Sequence, residues 1–314
     1  MKLKFLLIGR GRQGKKIERV LQRIGEQNSI NIQISCIDLR NSVICASGVD
    51  ACFVCTPNDA HFGNCQDLVR LGVPVFLEKP IADDTIDAAA LISLFENNPC
   101  SLFVNYNWVY SDLFAILKKI VDEEMIGRIN NFSFSYGHGY SFNENLKSDW
   151  RLKKASAREM VGVHMYHFLS SLFLGVQPVQ LFDFRLSPQA SKFGFSDASS
   201  IVLSTPELFA HLRVSYATSC HTSVQMHGTD GEAVYDGINL VVRSPRDSFD
   251  SKCRYRVPDV SFRQEIDWSQ DLELSSYRSV GRFIDNVINQ RPVSNPEEIN
   301  LALLANNLVN NGRS

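Results

Sequence analysis

Three glycines near the start of the chain have the spacing that brings a protein backbone close to a phosphate. They lie in residues 9–14, GRGRQG, directly after the apolar run Lys4 to Ile8 and directly before an apolar helix face. In a strand–turn–helix context, Gly9 permits a tight turn, Gly11 lets the backbone approach a pyrophosphate, and Gly14 lets the helix pack on the strand. The free N–H groups at the helix start would then bind the anion. An ordinary glycine-rich turn is the alternative interpretation.

The elements that must position this loop alternate through the first third of the chain. Further strands are predicted at Asn31 to Ile37, Val49 to Cys55, Val73 to Leu77 and Ser101 to Asn105, with helices at His61 to Leu71 and Asp84 to Glu96. This alternation predicts a parallel sheet with helices on both faces. Such sheets bind ligands beyond the carboxyl ends of their strands, where the chain carries Asp38, Thr56, Glu78, Lys79 and Tyr106.

Asp38 is the predicted determinant of the dinucleotide type. It ends the second predicted strand, 24 positions beyond Gly14, near the place where a carboxylate meets the adenosine ribose hydroxyls of NAD. A 2′-phosphate would be repelled by that carboxylate. Arg40 lies close by and could accept the phosphate, so the sequence favours NAD and leaves NADP open.

The character of the chain changes after about residue 120. Five further strands are predicted, separated mostly by turn-type residues: Arg128 to Tyr136, Val179 to Leu186, Ser199 to Ser204, Leu208 to Tyr216 and Ser223 to His227. This pattern predicts a mostly antiparallel sheet with one face packed on helices. The region from Ser275 to Asn311 returns to helix. We therefore predict an α/β chain with domains at 1–120 and 121–314, whose last helices could pack on the first domain.

Composition excludes several classes of protein. A net charge of −2 gives no basis for binding nucleic acid or an acidic membrane surface, and no apolar run approaches the length of a membrane helix. We expect a soluble cytoplasmic protein. Cys36, Cys52 and Cys55 lie in apolar runs that predict buried strands. Residues 52 and 55 would point to opposite faces of a strand, which favours buried reduced thiols over a redox pair or a metal clip.

An ordered set of short blocks resembles the Gfo/Idh/MocA oxidoreductases, named for glucose–fructose oxidoreductase and inositol dehydrogenase. The blocks are the glycine loop, residues 55–58 with His61, residues 78–80, 105–107, 126–128, 150–151, 162–164 and 228–231, and the final helices. They span essentially the whole chain. The resemblance implies an N-terminal Rossmann domain, a doubly wound parallel sheet, followed by a C-terminal α+β domain on a large open sheet. It also implies a sugar-like substrate and assembly into dimers or tetramers.

The resemblance implies roles for individual residues. Cofactor binding is expected from Gly9, Gly11, Arg12, Gln13, Gly14, Asp38, Thr56, Pro57, Asn58, His61, Glu78 and Lys79. Lys79 would also contact the reacting oxygen, because a partly desolvated lysine beside an oxidised nicotinamide has a lowered pKa and can carry a proton. His164 matches the family's catalytic histidine, as general acid/base or as an orienting group. A surface lysine and a hydrogen-bonded core histidine are the structural alternatives.

The chain departs from the family pattern around His164. The family commonly has an aspartate four residues before this histidine and often another three residues after it, where this chain has Met160 and His167. These positions share one helix face, on the expected substrate side. Either His167 substitutes, the substrate differs, or the chemistry has been lost. Glu159 is no replacement, because Ser156 and Glu159 have the spacing of a capping box.

Other candidates face the substrate in this interpretation. Tyr106 and Asn107 end a predicted strand, and Trp150 and Arg151 open a basic segment that also contains Lys153 and Lys154. That segment could hold a phosphate or carboxylate of a nucleotide sugar, or could be a solvated loop. His164 and His167 have the spacing of two metal ligands, but zinc needs at least a third, so no metal is expected.

Three functions remain open. The first is an NAD(P)-dependent oxidoreductase of a sugar, nucleotide sugar or polyol, with a role in making a surface polysaccharide as a narrower possibility. The second is a dinucleotide-binding sensor without catalysis, which Met160 supports and Lys79 and His164 oppose. A dehydrogenase of amino acids or tetrapyrroles from the same superfamily would keep the hydride transfer and change the substrate.

Overall fold

A computed structural model describes residues 1–37, 48–98, 101–142, 156–186, 196–218, 221–245 and 249–310. Its contacts divide the chain into two compact units, Met1–Tyr110 with Glu273–Ser314 and Ser111–Leu272. Residue 120, the predicted end of the first domain, lies inside a helix of the second unit.

The elements are numbered in chain order. The strands are β1 Lys2–Ile8, β2 Asn31–Ile37, β3 Ala51–Val54, β4 Val75–Glu78, β5 Leu102–Asn105, β6 Ile129–Gly137, β7 Gln177–Phe184, β8 Ala198–Ser204, β9 Phe209–Ser215, β10 His221–Gly228, β11 Glu232–Tyr235, β12 Asn239–Arg243 and β13 Val260–Glu265. The helices are α1 Arg12–Gln27, α2 His61–Val69, α3 Thr85–Glu96, α4 Asp112–Asp122, α5 Val163–Leu172, α6 Trp268–Ile288 and α7 Pro296–Asn310.

The first unit is built on a parallel sheet with the order β2-β1-β3-β4-β5. The three short strands β3, β4 and β5 are buried along their whole length. Continuous apolar runs are typical of parallel strands that helices cover on both faces. The sheet and its connecting helices confirm the predicted fold class of this part of the chain.

Aromatic packing attaches the C-terminal region to this sheet. Phe283 of α6 is fully buried, and its ring centroid lies 5.2 Å from Phe53, 5.4 Å from Phe76 and 5.8 Å from Phe103. Phe5 extends the cluster, 5.3 Å from Phe53. Because each ring removes a large apolar area from water, α6 is held on the middle of the sheet although it lies far along the chain.

The prediction that Cys36 is buried is wrong, because β2 is an edge strand. Among the described strands it pairs with β1 alone, and Cys36 is exposed. Cys52 and Cys55 are buried, as predicted, and burial holds the pKa of Cys55 well above its usual value. The C-x-x-C spacing therefore marks a packed core strand.

The second unit is built on an eight-stranded sheet with the order β13-β12-β11-β10-β6-β9-β8-β7. Only β6 and β9 pair in parallel, so the predicted, mostly antiparallel sheet is confirmed. The sequence interpretation missed the strands β11, β12 and β13, which are short or strongly exposed.

One face of this sheet packs on helices. Phe134 of β6 lies 5.4 Å from Phe168 of α5 and 6.3 Å from Trp268 of α6, measured between ring centroids. The intervening residues Ser133 and Ser135 point the other way and are half-buried. The helix α5, which carries His164 and His167, packs on this covered face.

Candidate functional site

The glycine loop has the conformation that its spacing predicts. Gly9 has a φ of +87°, and a Cβ there would lie 2.7 Å from the carbonyl oxygen of Cys55. A side chain at Gly9 is therefore excluded both by backbone conformation and by the neighbouring strand end. The turn brings the chain from the end of β1 into α1 within three residues.

Gly11 and Gly14 differ sharply in the space around them. A Cβ at Gly14 would lie 1.9 Å from the carbonyl oxygen of Gly9, whereas a Cβ at Gly11 would meet nothing within 4 Å. Gly14 is thus required for packing inside the protein, and Gly11 faces open space. Gly11 caps α1 without a side-chain hydrogen bond, and the first turn carries no acid, so its N–H groups suit an anion.

The other two predicted residues of the loop, Arg12 and Gln13, differ in their environments. Arg12 is exposed at the first position of α1. Gln13 is half-buried, and its side-chain Nε2 donates to Oε1 of Glu78 at 2.9 Å. Gln13 therefore ties the glycine loop to the end of β4.

A side-chain hydrogen bond from α2 stabilises the loop after β3. Thr56 is half-buried, and its hydroxyl accepts from Asn64 at 2.9 Å, while Pro57 is exposed and Asn58 is buried. Pro57 and Thr56 are thus the members of this predicted group with accessible surface for a ligand.

His61 supports the site from behind. It has no exposed surface; its Nδ1 lies 3.0 Å from the Pro80 carbonyl oxygen, and its Nε2 lies 3.1 Å from that of Thr56. Burial lowers the pKa of His61. The His61 ring therefore joins the loops after β3 and β4. We expect it to support cofactor binding indirectly, through these two loops.

Lys79 lies between two restrained residues. It is half-buried and follows Glu78, whose Oε1 also accepts from Asn105 Nδ2 at 2.8 Å. A cis peptide bond joins Lys79 to Pro80, which is buried. The residue before Lys79 is thus held at the carboxyl end of the sheet by its hydrogen bond to Asn105.

The two residues after β5 have different environments. Tyr106 is 2% exposed, its hydroxyl donates to the Ala302 carbonyl at 3.4 Å, and burial raises its pKa. The structure thus makes Tyr106 a packing residue of the first unit rather than a substrate contact. Asn107 is half-buried and donates to Ser275 at 2.8 Å.

Sequence reasoning missed two polar residues in the first unit. The sequence indicates Asn105 only as part of the block 105–107 that resembles the family, and it assigns no role to Lys16. Lys16 Nζ donates to Ser276 at 2.7 Å, and desolvation by burial lowers its pKa against the opposing attraction of Glu78. Its position two residues beyond Gly14, on the helix that follows the glycine loop, was the available signal.

In the second unit, a capping box opens the segment that carries the histidines. The Ser156 backbone N–H donates to Glu159 Oε2 at 2.9 Å, and the Glu159 N–H donates to Ser156 Oγ at 3.4 Å. This confirms the structural interpretation of Glu159. A π-helical turn at Arg158–Gly162, a feature frequent at functional sites, then leads into α5.

His164 and His167 are both buried, with 8% and 7% of their surface exposed, and Met160 is half-buried. Burial lowers the pKa of His167 to about 3, so its imidazole is neutral near pH 7. A neutral ring can donate or accept a hydrogen bond, but it does not supply the negative charge of a carboxylate. His167 therefore replaces at most the hydrogen bonding of the family aspartate.

Because His167 is buried and neutral, we expect the folded protein to lose stability in acid. Below its ordinary pKa of 6.5 the unfolded chain binds a proton that the folded protein refuses, so stability falls as pH drops from 6.5 toward 3. The His167→Gln variant should lose less stability on acidification, by about 2 kcal/mol between pH 6.5 and about 5. Urea unfolding at several pH values measures this, and an unchanged pH slope would contradict it.

The matched control is Gln225→Ala, which removes an exposed side chain that does not titrate and should leave the slope unchanged. His61 contributes a slope of the same sign, because burial also lowers its pKa, so the His167 variant removes only part of the effect.

Several predicted site residues fall outside the described ranges: Asp38 with Arg40, and Trp150, Arg151, Lys153 and Lys154. Within the described ranges, no three His, Cys, Asp or Glu side chains come together as metal ligands. No helix in those ranges has the length and apolar composition needed to cross a membrane.

Two family models match the chain. Residues 12–106 match the model described as an oxidoreductase family with an NAD-binding Rossmann fold, and residues 114–234 match the GFO/IDH/MocA C-terminal domain. Together the two matches cover more than half of the chain.

Individual relatives are distant. An inositol 2-dehydrogenase from Rhizobium meliloti is 24% identical over 146 residues, which are 41% of this chain and 43% of that protein. A levoglucosan dehydrogenase from Pseudarthrobacter phenanthrenivorans is 26% identical over 136 residues, 43% of this chain and 33% of that protein. The chain thus matches less than half the length of either curated relative.

Solved structures share the fold over the whole chain. An oxidoreductase from Agrobacterium radiobacter, in complex with NAD+, L-tartaric acid and magnesium, has a TM-score of 0.76 and 18% identity. The superposition covers 100% of this chain and 98% of that one. At this identity the likeness concerns the fold alone.

Proposed function

Because this chain belongs to the Gfo/Idh/MocA family, we propose that it is an NAD(P)-dependent oxidoreductase that interconverts an alcohol and a carbonyl on a sugar or polyol. The observation that carries the proposal is the glycine loop, in which Gly14 is excluded from bearing a side chain while Gly11 faces open space. The names of the inositol and levoglucosan dehydrogenase relatives support a polyol or sugar as substrate.

The proposed mechanism assigns a role to each of the following residues. Bound NAD would supply the hydride acceptor, so the protein must move the hydroxyl proton. Lys79 is the proposed proton carrier, and His164 is the proposed acid/base or orienting group. Gly11, Thr56, Pro57 and Glu78 are the proposed cofactor contacts, Gly9 and Gly14 give the loop the shape that binding requires, and Asn107 is a proposed substrate contact.

NAD is the proposed cofactor, with NADP as its competitor. Titrating the intact protein with NADH and with NADPH, followed by energy transfer from its three tryptophans, should show tighter binding of NADH. Tighter binding of NADPH would indicate that Arg40, rather than Asp38, determines which dinucleotide the protein prefers. Failure of the folded protein to bind either would overturn the proposal.

The substrate class is tested next. Inositols and levoglucosan are the first probes, because relatives are named for acting on them. Nucleotide sugars, with a role in making surface polysaccharides, are a narrower proposal supported by the cationic residues Arg151, Lys153 and Lys154. Turnover of a nucleotide sugar, but not of the free sugar, would support it; turnover of polyols alone would reject it.

A second function is a dinucleotide-binding sensor without catalysis. It is favoured by Met160 and His167, which stand where the family commonly has aspartates, so these two positions carry no carboxylate. Tight NADH binding without turnover of any alcohol or carbonyl in the screen would support it, and turnover of any of them would reject it.

Assembly through the open sheet is also part of the proposal. Phe182 and Phe209 are 46% and 49% exposed, and Phe182 is paired with Ser200 on the open face of the sheet. Apolar rings there suit contact with a second copy of the chain. Light scattering that found only the monomer mass of 35.4 kDa would reject this part.

A further inference from the structure

A chain of three side-chain hydrogen bonds crosses the first unit. Ser279 Oγ of α6 donates to Asn105 Oδ1 at 2.7 Å, and Asn105 Nδ2 donates to Glu78 Oε1 at 2.8 Å. Gln13 Nε2 donates to the same Glu78 oxygen at 2.9 Å. The glycine loop, the ends of β4 and β5, and α6 are joined in this way through one carboxylate.

The chain is buried and has a single direction. Ser279 is fully buried, Asn105 is 2% exposed and Glu78 is 6% exposed. The Ser279 hydroxyl donates to the amide oxygen, which turns the Asn105 amide nitrogen toward Glu78. The reversed amide would place an oxygen against the carboxylate. The Asn105 amide is therefore held at both ends, by Ser279 on its oxygen and by Glu78 on its nitrogen, and Asn105 holds Glu78 in turn.

Sheet topology assigns this carboxylate to one half of the ligand. The strand order reverses between β1 and β3, so a dinucleotide lies across this point with adenosine on the β1–β2 side. Glu78 ends β4 and is paired in register with Asn105 at the end of β5, on the opposite side. The carboxylate therefore belongs with the nicotinamide half.

Both amide donors reach the same oxygen of Glu78. Oε1 accepts from Gln13 and Asn105, and within the described ranges no donor reaches Oε2. A carboxylate whose one oxygen is saturated and whose rotamer is held presents its other oxygen in a constant direction. Such an oxygen suits a ligand hydroxyl donor.

We infer that Asn105 and Ser279 are positioning residues that aim the Glu78 carboxylate at the nicotinamide half of the cofactor. The inference rests on the proposed function, since it requires the dinucleotide. Neither residue touches the cofactor; both act through Glu78. Loss of either should weaken binding of the nicotinamide half and leave the adenosine and pyrophosphate contacts intact.

Two ligands separate these halves: NADH, and ADP-ribose, which lacks the nicotinamide. The intact Ser279→Ala and Asn105→Asp variants should bind NADH about tenfold more weakly and ADP-ribose with wild-type affinity. Asn105→Asp keeps the acceptor for Ser279 but turns a second carboxylate toward Glu78. Ser279→Ala removes a single oxygen and keeps the test available if the other variant does not fold.

Matched controls change buried polar residues elsewhere. Ser199→Ala removes a buried hydroxyl that donates to the Phe182 carbonyl, and Asn306→Asp alters a buried amide that accepts from the Ala82 N–H. Both controls should change the affinities for NADH and ADP-ribose equally or not at all.

Three outcomes would overturn the inference. Wild-type affinity for NADH in both variants would show that Glu78 needs no positioning. A parallel loss of NADH and ADP-ribose would show a general structural role. Wild-type protein that binds neither NADH nor NADPH would reject the proposed function and the inference with it.

Discussion

The Lys79→Ala variant should bind NADH with wild-type affinity and turn over its substrate about a thousandfold more slowly, within the range that a positioned acid or base contributes. Lys79 is half-buried and follows Glu78, whose carboxylate accepts from Asn105, so its removal should leave the end of β4 in place. Single-turnover rates, measured with a substrate from the polyol screen, give the chemical step directly.

Two further variants make this result interpretable. Lys79→Arg keeps the positive charge but holds its proton at any accessible pH, so it should also be slow if Lys79 transfers a proton. Lys119→Ala removes a lysine whose side chain is 63% exposed and should have wild-type kinetics. Normal turnover by Lys79→Ala would reject the proton role, and loss of NADH binding would indicate a cofactor contact instead.

The second large effect is a contrast between two glycines three residues apart. Gly11→Ala should fold with wild-type stability, because Gly11 has a φ of −68° and its Cβ would meet nothing within 4 Å. It should nevertheless bind NADH about tenfold to a hundredfold more weakly, because a methyl group would hold the pyrophosphate away from the backbone N–H groups.

Gly14→Ala should fail for a different reason. Its Cβ would lie 1.9 Å from the Gly9 carbonyl oxygen, so the backbone of the loop or of α1 must move. We expect a loss of about 3 kcal/mol in the free energy of unfolding, together with lost NADH binding. Urea unfolding and NADH titration of both variants measure the contrast. Wild-type NADH affinity in Gly11→Ala would place the pyrophosphate elsewhere.

Local patterns were sufficient for most elements of the first unit. The strand at Asn31–Ile37 and the helix start at His61 were predicted as observed, because apolar periodicity and turn residues act over a few neighbouring positions. The strands β11 to β13 were missed for the same reason: short, half-exposed segments carry a weak periodic signal.

The exposure of residues followed less well from the sequence. Cys36 stands in an isoleucine-rich strand, yet it is exposed because β2 has a neighbour on one side only. His61 and Tyr106 were expected at the ligand, yet both are buried, and their polar atoms meet backbone carbonyls. Position in a sheet and the packing of later segments decide such cases, and neither is written in the neighbouring residues.

The sequence by itself determined the glycine loop, the two kinds of sheet and the capping box before α5, because each depends on residue types within a few positions of one another. Only the tertiary structure decided that Phe283 packs on the parallel sheet and that Ser279 orients Asn105 and Glu78. Asn105 and Ser279 are 174 positions apart, so their contact depends on how the whole first unit folds. A hydrogen bond between them forms only after distant elements have packed, which no local pattern records.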